Sequence, residues 1–327
     1  MKETILLIDG DTVAFRAAAV TEKREIKVTH RESGKYKFFK TRTEFKKRLI
    51  EKNGNTDAIV DYEIEDVQTP EPIQNSLHVV KSVISKLFSS FEPDELIIYI
   101  GGKDNFREKL PLPSKYKGNR SNMLRPVNLD EIKSYIIKKY KAKSPVGIEA
   151  DDAVNIKAYI ELQKGNEVII ASNDKDTLQS EGLKMFDYTK ENPQLVSIPE
   201  IGEIYVKGTE CKGSGLKFFA YQLLCGDTTD NYKPTEVCGV KFGATSAFKL
   251  LDPLETKPEI LQAVVDQYKK WYPDIVTYTS WDGKEITTNW EGMLDLYFAC
   301  AYMHRKLNDK TTWKEFFKER GWNESNE

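Results

Sequence analysis

Histidine is scarce in this chain: His30, His78 and His304 are the whole complement. Three scattered imidazoles exclude a histidine-built metal centre and leave any bound metal to oxygen ligands, which favours Mg²⁺ or Mn²⁺. Cysteine is nearly as rare, and Cys211, Cys225, Cys238 and Cys300 fall in no spacing typical of zinc or redox sites. With the chain running from Met1-Lys2-Glu3-Thr4 straight into Ile5-Leu6-Leu7-Ile8, no export signal is read, and scattered thiols then indicate a reducing cytoplasm. Long apolar runs are missing too. The core-like Leu96-Ile97-Ile98 is far too short to cross a bilayer, so no membrane association is expected. There is no internal repeat. Tryptophan is absent from most of the chain, all five (Trp271, Trp281, Trp290, Trp313, Trp322) lying in the last 57 residues. That shift in composition suggests a separate C-terminal module in which the indoles serve packing.

What is present is an ordinary globular balance over 327 residues, 39 % apolar and 31 % charged, ample for one large domain or two smaller ones. The net charge of −2 hides two basic stretches. Glu22 to Lys52 holds 12 Lys/Arg against 5 Asp/Glu, and Lys115 to Lys143 holds 9 against 2. A single stretch of this kind reads as a solvated helix face. Two of them, one interleaved with rings in Lys35-Tyr36-Lys37-Phe38-Phe39-Lys40, point to a polyanion and to nucleic acid.

Periodicity divides the first two-thirds into alternating strands and helices. Ile5–Asp9, Glu95–Ile100, Glu167–Ala171 and Leu183–Tyr188 read as strands, and 75–88, 129–141 and 149–164 as helices. This alternation predicts an α/β fold with a mostly parallel sheet flanked by helices. Functional side chains in such sheets gather at the carboxyl ends of strands, where Asp9 and Asn173-Asp174 fall. Between the first strand and the helix at 75 lies a long insertion. It reads as a hairpin over 25–39, turning at Glu32-Ser33-Gly34-Lys35, followed by a basic helix over 43–52. The stretch from Phe106 to Asn128 reads as a loop.

Four acidic motifs carry the chemistry: Leu7-Ile8-Asp9-Gly10-Asp11, Glu149-Ala150-Asp151-Asp152, Asn173-Asp174-Lys175-Asp176 and Gly226-Asp227-Thr228-Thr229-Asp230-Asn231. Each has a bland explanation as a helix N-terminus or a turn former. Together they describe a self-repelling pool of carboxylates that needs cations. Two hard ions about 3.5–4 Å apart would neutralise such a pool and serve phosphodiester cleavage. Lys115-Tyr116-Lys117-Gly118-Asn119-Arg120 offers cations for a phosphate. Cys238-Gly239-Val240-Lys241-Phe242-Gly243-Ala244-Thr245 offers a glycine turn ahead of a helix, where backbone N–H groups can approach a phosphate.

In order and spacing these motifs resemble the flap-endonuclease and 5′-nuclease superfamily, over about residues 6–251 apart from the insertion, with the Gly101–Arg107 stretch most like the bacteriophage 5′–3′ exonucleases. The resemblance implies a PIN-like core over residues 1–200, with the insertion at 21–75 and an arch region at 106–145. It implies a C-terminal helical domain over 201–327 with a helix–three-turn–helix motif. It implies Asp9, Glu149, Asp151, Asp152, Asp174, Asp176, Asp227 and Asp230 as ligands of two Mg²⁺ ions, for which Mn²⁺ can substitute. Lys117, Arg120 and Arg16 would contact the reacting phosphate. Lys115, Gly239, Lys241, Gly243 and Thr245 would hold DNA, with K⁺ at the glycine turn. The expected activity is 5′–3′ exonuclease and flap endonuclease, by a monomer, on duplex ends, nicks, 5′ flaps and single-stranded 5′ arms, RNA–DNA hybrids included. The setting would be phage DNA replication or host DNA breakdown, in the host cytoplasm. Three positions depart from the pattern. Gly101-Gly102 stands where many members carry an aspartate, leaving that ligand missing or replaced by Asp104. Gln222 stands where a lysine is expected, and the usual glycine-turn lysine is displaced to Lys241, with Thr245 in its place. Two rival readings are a haloacid-dehalogenase-type phosphatase, built on Asp9-Gly10-Asp11-Thr12, and a non-catalytic protein that binds DNA structures.

Overall fold

The computed structural model describes residues 2–121 and 123–324. The chain opens with β1 (Thr4–Asp9), whose residues from Ile5 onward are all buried, and α1 (Gly10–Val20) starts directly on its last residue. The insertion follows: β2 (Glu22–His30), β3 (Tyr36–Phe39), α2 (Arg42–Asn53) and β4 (Tyr62–Pro70). Next come α3 (Ile73–Phe91) and β5 (Glu95–Tyr99), then 3-10 turns at Phe106–Lys109 and Gly118–Arg120, and α4 (Leu129–Tyr140). The run continues with α5 (Ala150–Gln163), β6 (Glu167–Ala171), a 3-10 turn at Lys175–Gln179, β7 (Lys184–Phe186) and β8 (Leu195–Ser197). The last third holds the pair β9 (Ile204–Lys207) and β10 (Glu210–Gly213), α6 (Gly215–Cys225), α7 (Ala244–Leu251) and α8 (Lys257–Trp271). It closes with the hairpin β11 (Val276–Thr279) and β12 (Glu285–Thr288), α9 (Trp290–Ala301) and α10 (Trp313–Lys318).

The main sheet has the order β5-β1-β6-β7-β8, parallel throughout except for the last strand. Ile5 lies between Glu95 and Val168, so β1 is central and its apolar run is what a strand covered on both sides requires. The α/β class and parallel sheet expected from the alternation are therefore present. α5 lies against one face, where Val154 and Ala158 pack on Ile5, Leu7, Ile97, Val168 and Ile170.

The chain divides into two compact units. The first comprises Met1–Thr12, Leu87–Met123 and Tyr140–Glu327. It contains the main sheet and a larger core built by α6 to α10, with Phe218, Phe219, Tyr268, Tyr297, Trp313 and Phe317 buried together. Trp271, Trp313 and Trp322 are buried in this core and Trp290 packs against it, while Trp281 stays 38 % exposed. The second unit comprises Val13–Lys86 and Leu124–Lys139. Its antiparallel sheet runs β3-β2-β4, and α2 covers one face through Phe45 and Leu49 against Ile26, Val28 and Phe39. α2 is well delimited: the Thr41 hydroxyl accepts the Glu44 N–H at 3.1 Å, and Gly54 ends the helix in the left-handed region. The insertion is thus a small domain-like element with its own core, closed by β4, a strand not anticipated from the sequence. Among the described residues no helix is long and apolar enough to cross a membrane.

Candidate metal centre

Three loops and one helix start bring the acids together at the carboxyl edge of the main sheet. Asp9 ends β1, and its Oδ1 accepts the Asp11 and Thr12 N–H groups at 3.0 and 3.4 Å. The Thr12 hydroxyl donates to Oδ2, and the Ser172 hydroxyl lies 3.4 Å from the same atom. Asp174 follows β6 and takes the Asp176 N–H at 2.9 Å, which tightens the 3-10 turn and sets the two carboxylates side by side. Glu149 caps α5 in a reciprocal capping box with Asp152, placing Asp151 and Asp152 in the helix's first turn. Asp227 and Asp230 sit on a tight loop after α6, closed by paired backbone bonds between Asp227 and Tyr232. Gly226 makes that loop possible: its φ is +74°, and a Cβ there would overlap the Tyr232 carbonyl.

Glu149, Asp151 and Asp152 offer carboxylate oxygens all within 4.8 Å of one another, a set suited to a divalent ion. Electrostatics tie the other acids to them. Burial, then repulsion from Glu149, Asp152 and Asp174, pushes the Asp151 carboxyl well above the usual range. Burial together with Asp174, Asp230 and Asp227 does the same to Asp176. Asp9 rises to about 6, mainly by burial, with Asp11 and Asp174 adding. Asp230 is raised by burial, against the pull of Lys117 and Tyr116. Every donor is an oxygen and the charges are mutually repulsive, so the residues fit hard divalent cations and gain from binding them.

Cations and hydrogen-bond donors hold this pool in place. Lys117 Nζ pairs with Glu149, and Arg120 Nη2 reaches Asp230 Oδ1 at 2.7 Å. Burial works against the Lys117 charge, but Asp230, Glu149 and Asp151 outweigh it and raise the ammonium above its ordinary value. The Tyr116 hydroxyl donates between Asp230 Oδ2 at 2.6 Å and Glu149 Oε2 at 3.0 Å. Lys175, lying between two acids in sequence, meets Asp227 Oδ2 at 2.9 Å. Burial would raise Asp227, yet this ammonium keeps its carboxyl below the usual range. The segments 115–120 and 226–231 are laced further. Lys117 N–H donates to the Asp230 carbonyl, Asn119 to the Thr228 carbonyl, and Asn231 Nδ2 to the Lys115 carbonyl, each at 2.8 Å.

Arg107, read from the sequence as one basic residue of a loop, is a structural centre of the site. It is 3 % exposed and spends all its N–H donors. Nη1 meets Asp152 Oδ2 at 2.5 Å and Glu149 Oε2 at 3.3 Å. Nη2 meets Asp152 Oδ1 at 3.0 Å and the Tyr302 carbonyl at 2.7 Å, and Nε meets the Cys300 carbonyl at 3.1 Å. Burial pushes the Asp152 carboxyl up, but Arg107 prevails and holds it below the usual range. Asp152 thus differs from Asp151: both its oxygens are engaged by Arg107.

The departures from the family pattern have local causes. A Cβ on Gly102 would overlap the Pro145 carbonyl, because the chain runs beside residues 143–146 through bridges at Tyr99–Lys143 and Lys103–Val146. A Cβ on Gly101 would stand 2.5 Å from Asp11 Oδ2, and that oxygen accepts the Gly101 N–H at 2.7 Å. Asp11 is thus the carboxylate held beside Gly101, whereas Asp104 has a left-handed backbone two residues after Gly102. Gln222 donates to Asp176 Oδ1 at 2.5 Å, a neutral partner where a lysine was expected.

The remaining candidates are placed separately. Lys115 lies 4.9 Å above the Trp281 ring. Gly239, Lys241 and Gly243 lie on an exposed turn leading into α7, and the exposed Thr245 lies in that helix's first turn. Arg16 is exposed on α1, in the second unit.

No protein-family model matches the chain. It is 29 % identical over 174 residues to a 5′–3′ exonuclease of Buchnera aphidicola subsp. Schizaphis graminum (strain Sg), covering 52 % of this chain and 56 % of that protein. It is 30 % identical to the 5′–3′ exonuclease of Buchnera aphidicola subsp. Acyrthosiphon pisum (strain APS), over 51 % and 57 %. The chain thus matches little more than half the length of these relatives. Among solved structures, a bacteriophage T5 flap endonuclease complex with DNA and metal ions aligns at a TM-score of 0.44 and 18 % identity, over 97 % of both chains, a likeness too distant to bear on individual residues. Neither rival reading, phosphatase or non-catalytic binder, is favoured by these relatives. Over about half of its length the chain is thus similar to 5′–3′ exonucleases.

Proposed function

We propose that this protein is a Mg²⁺-dependent 5′–3′ exonuclease and flap endonuclease that hydrolyses DNA phosphodiester bonds. The observation that carries this reading is that acids from four separated motifs act on one another electrostatically, with Lys117 and Arg120 seated directly on two of them. Asp9, Glu149, Asp151, Asp152, Asp174, Asp176, Asp227 and Asp230 would hold two ions, with Asp152 kept in position by Arg107. Bound there, the ions supply an activated water and charge stabilisation for the leaving oxygen.

The chain's own part is binding, orientation and charge. Arg120 is 43 % exposed at its side chain and Lys117 partly so, which leaves both able to exchange a carboxylate for a phosphate. There they offset charge as it develops on the transferring group, with Arg16 as a further contact in this reading. Tyr116, bonded to Glu149 and Asp230, would hold their carboxylates in place for the ions. Lys115, the exposed turn of Gly239, Lys241 and Gly243, and Thr245 would grip the duplex backbone, with K⁺ at the turn. A catalytic domain over 1–200, a DNA-gripping helical domain over 201–327, action as a monomer, and activity on RNA–DNA hybrids belong to the same reading.

The test is cleavage of 5′-labelled duplex and 5′-flap DNA, with Mg²⁺ or with EDTA. Cleavage should require the metal and should fall by several orders of magnitude in Asp151→Asn/Asp174→Asn. Metal-dependent cleavage that survives this double change would refute the site, and no cleavage of either substrate would refute the activity.

A further inference from the structure

We infer that the insertion between β2 and β4 carries a binding site of its own for single-stranded nucleic acid, separate from the acidic pool. The site is a cavity of about 470 Å³ formed wholly within the second unit, between the β3-β2-β4 sheet and α2. That volume is within the range of ordinary ligand pockets and accommodates a nucleotide.

Its floor and its rim differ in chemistry. The floor is aromatic and aliphatic: Phe39, Phe45, Leu49 and Tyr62 line it, with ring centroids 5.2 Å apart for both Phe39–Phe45 and Phe45–Tyr62. His30 packs edge-on against Tyr62 at 5.1 Å. The rim is cationic, with Lys35 and Lys37 from the hairpin and Arg48 and Lys52 from α2. No acid lines the cavity; the nearest ion pair at the rim, Arg48 with Glu51, spans 3.7 Å between two exposed side chains and binds weakly.

Local structure explains the arrangement. β3 pairs only with β2 in its sheet, so it is an edge strand, and its alternation sends Lys37 and Phe39 to the face that α2 covers. On α2 the buried Phe45 and Leu49 are one turn apart, and Arg48 and Lys52 are spaced likewise beside them. Apolar floor and basic rim are thus fixed by the same two elements. Four cations around an apolar pocket do little for stability. They match a ligand that carries a flat apolar face and anionic charge at regular spacing, which is a base stacked in the pocket with phosphates at the rim. An acidic peptide offers the charge without the ring.

The experiment uses the full chain in EDTA, so that no cleavage can occur and the result does not depend on the nuclease reading. Affinity for a labelled oligothymidylate of about a dozen nucleotides is read by fluorescence anisotropy across a salt series. Lys37→Glu/Arg48→Glu and Lys35→Glu/Lys52→Glu should each weaken binding about tenfold, with a shallower salt dependence. The control Lys46→Glu/Lys47→Glu makes the same change of charge on α2 outside the cavity and should cost much less. An iodouracil-bearing strand should photocrosslink to the peptide containing Tyr62. Unchanged affinity in both pocket variants, or an equal loss in the control pair, overturns the inference. Displacement by polyglutamate at lower concentration than by unlabelled oligonucleotide overturns it in favour of an acidic-peptide site. Far-UV circular dichroism confirms folding, and all the altered residues are exposed.

Discussion

Replacing Arg107 with methionine should destabilise the protein by about 3–5 kcal/mol, the usual cost of removing one partner of a buried ion pair. Methionine keeps most of the volume but removes five donors, and the fully buried Asp152 then loses the guanidinium that spans both its oxygens. The Cys300 and Tyr302 carbonyls lose a donor as well. Those losses overlap with the first and are not additive. The assay is urea unfolding in EDTA, which removes any contribution from bound metal. With a slope of roughly 2–3 kcal/mol per M, the midpoint should fall by roughly 1–2.5 M. The double variant Arg107→Met/Asp152→Leu, which removes both charges, should recover at least half of the loss. A loss below about 1 kcal/mol in the single variant, or no recovery in the double, would show that Arg107 is not what holds Asp152 and the start of α5.

Three further outcomes are expected. Glu181, which burial alone would raise, is brought down to about 2 by Arg305, at 2.6 and 2.7 Å, and by Arg320. A depressed folded pKa stabilises above the unfolded value of 4.5 and is lost as pH falls from there toward 2, so Glu181→Gln should flatten the acid limb of stability, and a limb unchanged in that window refutes the assignment. Gly102→Ala should cost more than Gly101→Ala, of order 1–3 kcal/mol, because the first meets a backbone carbonyl and the second a side chain that can swing aside; the reverse order in thermal melts would refute this. Ca²⁺ or Mg²⁺ should raise the melting temperature, by about 2.7 kcal/mol of stability at a hundred times the dissociation constant, and Asp151→Asn/Asp174→Asn should abolish the shift.

Much of the main sheet is legible in the sequence because its strands are short and apolar without interruption. Glu167–Ala171 falls within its observed bounds, and Glu95–Ile100 misses by one residue. β4 escaped notice although Tyr62 and Ile64 alternate with Glu63 and Glu65, because its acids resemble a solvated linker and its partner β2 lies far back in the chain. The acids themselves are legible as motifs, since each lies where a strand or helix ends. Their partners are not. Arg107 meets carbonyls 193 and 195 positions away, and nothing in the loop around it signals burial. Asp11 is similar: its role depends on the missing side chain of Gly101, ninety residues on, which only a folded chain reveals.

The lacing of segments 115–120 and 226–231 has a consequence for how such a site can change. Tyr116, Lys117, Asn119 and Arg120 each bond to the Thr228–Asp230 stretch, by side chain, backbone or both, and Asn231 returns a bond to Lys115. Two stretches more than a hundred residues apart thus behave as one interlocked part. A chimera that takes either loop alone from a relative would leave the other's donors and carbonyls facing strangers. The two loops are therefore exchangeable only as a matched pair, and drift in one constrains which changes the other can accept.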